Sequence, residues 1–198
     1  MNNKKSTFIL VALSFLLVVG FSVQVLAGET YKMACSLAIT GPTSDVGSPY
    51  AKGVEDYTRY VNDEKLLGDD QLITYVRDDG YKTEVTKRNF EEFLDEDIVF
   101  YLNYSTGSTM ALRQDFQEEK IPVLPASFHA GNLEGNDYVF LPIASYSSQA
   151  VGLAEYVAAN HKGSGKPKVA LFLHPSAFGR APRDDVQKSI DAGLGIDL

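Results

Sequence analysis

The 198-residue chain has one cysteine, no tryptophan and three histidines. A lone cysteine excludes an intramolecular disulfide framework, so burial of apolar side chains has to hold the fold together. His129, His161 and His174 lack the paired spacing of a zinc site, and no cysteine pair supplements them. No metal and no cofactor are therefore expected. Basic charge is also short, with Lys+Arg 18 against Asp+Glu 26 and a net charge of -8, which argues against nucleic acid and anionic membrane as partners. Gly-x-Ser-x-Gly is absent, so an α/β-hydrolase nucleophile elbow has no candidate. The segment Lys162 to Lys168 fails as a phosphate loop, because Asn160 stands where the first glycine is needed and Pro167 where a hydroxyl is required. The acidic run Glu91 to Asp97 lacks the central glycine of a calcium loop and reads as a hydrated helix face.

What is present begins with an export signal. Lys4 and Lys5 form a positive n-region, Phe8 to Val19 an apolar h-region, and Val25-Leu26-Ala27 a small-residue cleavage site. A membrane anchor would need about 20 apolar residues, and Ser22 and Gln24 interrupt this run. Cleavage after Ala27 and a periplasmic location are expected. Cys35 lies well beyond that cut, inside an apolar run, and reads as a buried strand residue.

From Gly28 onward, strands and helices alternate. Tyr31 to Ile39 reads as a buried first strand ended by Thr40-Gly41-Pro42. Tyr50, Val54, Tyr57 and Val61 recur at helical spacing and predict one inward face, with Pro49 in the first turn. Leu72 to Arg77 is a second strand closed by Asp78-Asp79-Gly80. A helix over Lys82 to Leu94 turns Val85, Phe90 and Phe93 inward. Ile98 to Leu102, a helix over about Gly107 to Glu119 with Met110, Leu112 and Phe116 inward, Ile121 to Leu124, and a fifth strand Tyr138 to Leu141 follow. The alternation predicts an α/β fold with a doubly wound parallel sheet over residues 28–144. Pro142 to Ser148 turns small and polar like a linker. Residues 145–198 then open a second α/β unit: a helix marked by Ala150 to Ala158, a strand Lys168 to His174, a helix Pro182 to Ala192, and a final apolar step.

Candidate chemistry concentrates between Ile98 and His129. Ser105, Thr106, Ser108 and Thr109 supply hydroxyls where a helix begins, and free amides there favour an anion such as a carboxylate. Helix capping alone is the simpler account of these hydroxyls taken in isolation. A second polar turn, Ser127-Phe128-His129, ends the next strand. Carboxyl ends of neighbouring parallel strands are where open α/β sheets bind small molecules. Asp78-Asp79 could act as an acid/base pair, yet adjacent residues at a strand end point in opposite directions, which favours a turn role.

The order of motifs resembles the branched-chain amino acid binding protein family, type I periplasmic solute receptors of ABC importers. The resemblance rests on Thr40-Gly41-Pro42 after the first strand, Gly47, a helix from near Gly53 past Asn62, and Asp78 to Gly80. It continues through Ser105 to Ser108, Ile121 to Val123 before Ser127, Tyr138 to Phe140 before the crossover, and Phe178 to Arg180, covering Tyr31 to Leu198. It implies two α/β lobes joined by a hinge, with a small-molecule ligand held between them and handed to a membrane permease by a monomeric protein. Ligand contacts carried over by this resemblance fall on Val46, Ser105, Ser127, His129 and Phe178. Where the family commonly has Ser-Ala-Thr the chain has Ser127-Phe128-His129, and Phe178 stands where tyrosine is frequent. The exchange of hydroxyl for aromatic surface extends the expected ligands from amino acids to amides and aromatic acids. Family members are roughly twice as long, so a truncated second lobe is expected, without the usual acidic contact to the ligand's ammonium. Two rival readings stand beside this non-enzymatic one: an exported α/β enzyme using His129 or Asp79, and a non-functional truncated product.

Overall fold

The computed structural model describes residues 28–198; the signal segment read from the sequence lies outside them. Four parallel strands form one sheet in the order β2-β1-β3-β4: β1 Thr30–Leu37, β2 Gln71–Asp78, β3 Phe100–Asn103 and β4 Val123–Pro125. Among the helices, α1 spans Ser44–Asp63, α2 Thr83–Leu94, α3 Thr106–Glu119, α4 Tyr146–Asn160, α5 Ala177–Arg180 and α6 Arg183–Asp191. A 3-10 helix covers Ala130–Leu133.

The period-two alternation of β1 divides its side chains between two cores. Ala34 aligns with Tyr75 and Tyr101 and joins Phe90, Phe93, Leu112, Phe116, Val123 and Val139 under α2 and α3. Cys35 aligns with Val76 and Leu102 and packs with Leu37 and Ala51 under α1. The aromatic centre of the larger core is tight, with Phe90 and Phe116 edge to face at 5.0 Å. Helices on both faces of a parallel sheet are the doubly wound arrangement expected from the βαβ alternation.

α1 departs from the periodicity reading in two ways. It starts at Ser44, so Pro49 lies inside the helix rather than in its first turn, and the ring's missing N–H leaves the Asp45 carbonyl without its helical donor. The buried face is Gly47, Ala51 and Val61, with Val54 half-buried, whereas Tyr57 is 62 % exposed and Tyr50 36 %. Small residues win that face because the helix lies almost on the backbone just past β1: a Cβ on Gly47 would come within 2.0 Å of the Ala38 carbonyl oxygen. The flanking tyrosines are pushed aside, and Tyr50 and Tyr57 border an apolar groove floored by Met33, Leu102 and Leu124.

Two expected strands do not form ladders. Tyr138 to Leu141 contributes a single bridge, Val123 to Val139, with the Val123 amide donating to Tyr138 O at 2.7 Å. Lys168 to His174 contributes only the bridge Lys168 to Asp197, and Phe172 within it is 97 % exposed. A strand exists by virtue of its partners, and among the described residues this segment finds one short contact. The region still gathers an apolar cluster of its own, centred on Ala154, Val186 and Ile196. No helix among the described residues is long and apolar enough to cross a membrane.

Gly47→Ala is expected to lower stability by about 1–3 kcal/mol, since the added methyl displaces α1 from the sheet. Urea unfolding of the two proteins measures it, and an unchanged midpoint would contradict the close approach.

Candidate functional site

Sheet order 2-1-3-4 places the topological switch between β1 and β3, and the crevice outside the strands' carboxyl ends is where such sheets take ligands. A cavity of about 440 Å³ lies there, within the size range of small-molecule sites. Its walls come from every strand end: Pro42 and Thr43 after β1, Tyr81 after β2, Tyr104 and Ser105 after β3, and Ala126 after β4. Val46 and Tyr50 from α1, Tyr146 from α4, and His174 with Phe178 close the rest.

The floor is the start of α3. Ser105 is its N-cap, with its hydroxyl accepting from the Ser108 amide at 3.1 Å. Asn103 on β3 locks the same turn through its amide nitrogen, donating to Ser108 Oγ at 3.1 Å and Thr109 Oγ1 at 2.8 Å. The capping hydroxyl is thus fully used in structure, and the first helix amides, those of Thr106 and Gly107, are the groups left for an anion.

The second polar turn supports the first from behind. Ser127 is fully buried, its Oγ 2.7 Å from Thr106 Oγ1, and Asn132 donates to the Ser127 carbonyl at 3.0 Å and to its Oγ at 3.3 Å. Either hydroxyl of the Thr106–Ser127 pair can be the donor, because each is both donor and acceptor. When Ser127 donates, the hydroxyl of Thr106, which lines the cavity, keeps its proton for a ligand. Phe128 packs on Tyr146, ring centres 5.5 Å apart, and Tyr146 meets Phe178 edge to face at 5.0 Å. His129 turns away to cap the 3-10 helix, its Nδ1 accepting from the Gly131 amide at 2.9 Å.

Of the residues singled out from the sequence, Val46, Ser105, Thr106 and Phe178 line this cavity, while Ser127 and Phe128 stand one layer back. His129 and Asp79, the alternatives named for a rival enzyme, are each held in a turn, His129 by Gly131 and Asp79 by Tyr81 with Thr86. Among the described residues no three His, Cys, Asp or Glu side chains gather to hold a metal.

Four tyrosines were not found by sequence reasoning: Tyr50, Tyr81, Tyr104 and Tyr146. Tyr104 contacts Tyr50 at 6.2 Å and Tyr81 at 6.1 Å. Burial pushes the phenols of Tyr50, Tyr104 and Tyr146 above their ordinary range, so they stay neutral. A signal for Tyr81 did exist, because it follows Asp78-Asp79-Gly80 at a strand's carboxyl end, on the same edge as Ser105.

The turn before Tyr81 is a carboxylate device. Asp78 accepts from the Thr40 amide at 2.9 Å and the Gly80 amide at 3.0 Å, tying the β2 turn to the β1 turn. Gly41, at φ +87°, passes so near that a Cβ would meet Gly80 O at 2.6 Å. Desolvation alone would raise the Asp78 carboxyl, but the hydrogen bonds from Thr40 and Gly80 outweigh it and hold the group below the usual range. Asp79 is buried and shifts the other way: desolvation raises it, against the hydrogen bonds from Tyr81 and Thr86, with the neighbouring Asp78 adding to the rise. Cys35, beneath this edge, is pushed up to about 12 by burial and is inert.

A raised folded-state value means that, between the ordinary and the raised pKa, the folded protein binds more protons than the unfolded chain. Stability from Asp79 is therefore present at acid pH and lost as pH rises through that window. The stability of the wild type minus that of Asp79→Asn is expected to fall as pH climbs from about 4 toward neutrality. Urea unfolding at a series of pH values measures it; a difference independent of pH would contradict the burial argument.

A family model of periplasmic binding proteins matches residues 30–196. A branched-chain amino acid ABC transporter protein from Thermus thermophilus, with bound valine, is 43% identical, with a TM-score of 0.81 over 87% of this chain and 45% of its own. The substrate-binding protein of an Aeropyrum pernix ABC transporter is 27% identical, TM-score 0.75, over 86% of this chain and 44% of its own. A possible leucine/isoleucine/valine-binding protein from Rhodopirellula baltica SH 1, at 20% identity and TM-score 0.70 over 86% of this chain and 46% of its own, shares the fold. The chain spans about half the length of these solved structures. Among the curated proteins none matches. The chain belongs to the periplasmic binding protein family, a class of solute receptors and not of enzymes.

Proposed function

We propose that this member of the periplasmic binding protein family captures an amino acid or a related small carboxylate, amide or aromatic acid outside the cytoplasm and hands it to an ABC permease. The observation that carries the reading is the cavity at the strands' carboxyl ends, floored by the open amides of α3. A carboxylate seated there accepts from the Thr106 and Gly107 amides and the Thr106 hydroxyl, where the helix dipole adds attraction. Ser127 and Asn132 hold Thr106 in place, and Phe128 and His129 shape the turn behind it. Val46 and Phe178 supply apolar contact from either side. The Thermus thermophilus relative, with its bound valine, supports a small amino acid as the starting candidate.

In this reading residues 28–144 form one lobe, and residues 145–198 begin the hinge and the second, whose share of the wall is Tyr146, His174 and Phe178. The receptor acts as a monomer after removal of its signal at Ala27. The positively charged and then apolar start of the chain and the family's periplasmic members support this location.

Binding can be followed calorimetrically with L-valine, L-phenylalanine and benzoate. Loss of one hydrogen bond to a charged group costs about 1.5–3 kcal/mol, so Thr106→Val should weaken the best ligand tenfold or more. Ser105→Ala should act mainly on stability, by about 1 kcal/mol, because its hydroxyl caps α3. Absence of saturable binding by all three compounds, or affinity untouched by Thr106→Val, would sink the reading.

A further inference from the structure

The turn that carries Tyr81 to the cavity is built on a buried carboxylate. Asp79 to Lys82 close a β-turn, with the Lys82 amide donating to the Asp79 carbonyl at 3.0 Å. Both central residues have positive φ, Gly80 at 56° and Tyr81 at 64°. For a bulky side chain that conformation is an outlier, which the surroundings must hold in place. Asp79 does so: one carboxylate oxygen accepts from the Tyr81 amide at 2.8 Å, and the other from Thr86 Oγ1 at 2.9 Å. Tyr81 in turn lies edge to face on Tyr104, ring centres 6.1 Å apart, and lines the cavity.

The Asp79 side chain is buried, and among the described residues no salt bridge includes it. Its own strand brings Asp78, a second negative charge, and Arg77, which pairs with Glu92. From β3 comes the Tyr101 phenol and from the segment after it the Tyr104 phenol, both pushed up by burial and therefore neutral. β1 contributes the buried hydroxyl of Ser36. α2 offers the Thr86 hydroxyl, while Lys82, Glu84 and Lys87 at its start are exposed. α3 meets that start through Gly107, which has no charge to give. The positive charge open to Asp79 is a proton, and burial raises its carboxyl above the ordinary range.

We infer that Asp79 is a proton-operated catch: ionised, it holds Tyr81 at the cavity; protonated, it releases Tyr81, and the receptor loses affinity for its ligand as pH falls. The inference rests on the solute-binding reading above and adds regulation of the same site. A neutral carboxyl accepts a hydrogen bond more weakly than a carboxylate, so the positive φ of Tyr81 is then less firmly held. Linkage fixes the sign. A ligand that needs Tyr81 in place favours ionised Asp79, so its binding expels a proton, and affinity declines as pH drops through the raised folded-state value.

The test is calorimetric titration of the purified protein with L-valine and L-phenylalanine, from about pH 7.5 to about pH 4.5. Affinity is expected to fall about fivefold over that range in the wild type and to stay level in Asp79→Asn. In acidic buffers of differing ionisation enthalpy, wild-type binding should release part of a proton and Asp79→Asn none. Tyr81→Gly, which takes positive φ without strain, should bind more weakly at every pH and lose the slope; it stands in if circular dichroism shows Asp79→Asn unfolded. Asp45 and His174 also line the cavity, and the same series in Asp45→Asn and His174→Gln should keep the slope. Affinity independent of pH in the wild type, or a slope that survives Asp79→Asn or Tyr81→Gly, overturns the catch and leaves the solute-binding reading intact. No binding of either amino acid at any pH overturns the catch, and failure of benzoate as well overturns the solute-binding reading with it.

Discussion

β1 is bonded along its length to β2 and along its second half to β3, so its amides and carbonyls are satisfied from both sides in the middle of the sheet. Its side chains are consequently committed to two cores at once, even-numbered Ala34 to one face and odd-numbered Cys35 and Leu37 to the other. A slip of one residue would exchange those faces. The aligned register then fixes where β2 and β3 end, and so where their turns meet. The cavity exists because four strands paired in register carry the chain that follows each of them to one edge.

At that edge, polar groups set the shape that apolar packing cannot. Asp78 ties the turn after β2 to the turn after β1, Asp79 holds Tyr81, and Asn103 and Ser105 fix the start of α3. Asp78, Asp79 and Ser105 accept backbone amides, and Asn103 donates to the hydroxyls of Ser108 and Thr109. The opposite shifts of Asp78 and Asp79 follow from that division of labour: the exposed one gains more from its donors than it loses in hydration, and the buried one does not.

Beyond Ser145 the construction is lighter. Two helices and a single bridge enclose a small cluster around Ala154, Val186 and Ile196. Contact with the sheet's edge is made chiefly through Tyr146, which bonds to Ala126, packs on Phe128 and meets Phe178. The short helix Ala177–Arg180 also approaches α3, so the two sides of the cavity meet at more than one place.

Much of this was legible in the residues alone. Apolar runs punctuated by Thr40-Gly41-Pro42 and Asp78-Asp79-Gly80 marked β1 and β2, and Ser105 announced the start of α3, because strand burial and capping are local effects. The motif order identified the family for the same reason. The tertiary structure decided what depends on partners. Pro49 lies inside α1, because the helix had to begin earlier for Gly47 to lie against β1. Lys168 to His174 found no ladder, since a strand needs a neighbour that its own sequence cannot name. Tyr50, Tyr81 and Tyr104, up to 54 residues apart in the chain, became one wall only through the pairing of β1 with β2 and β3 and the left-handed turn that Asp79 stabilises.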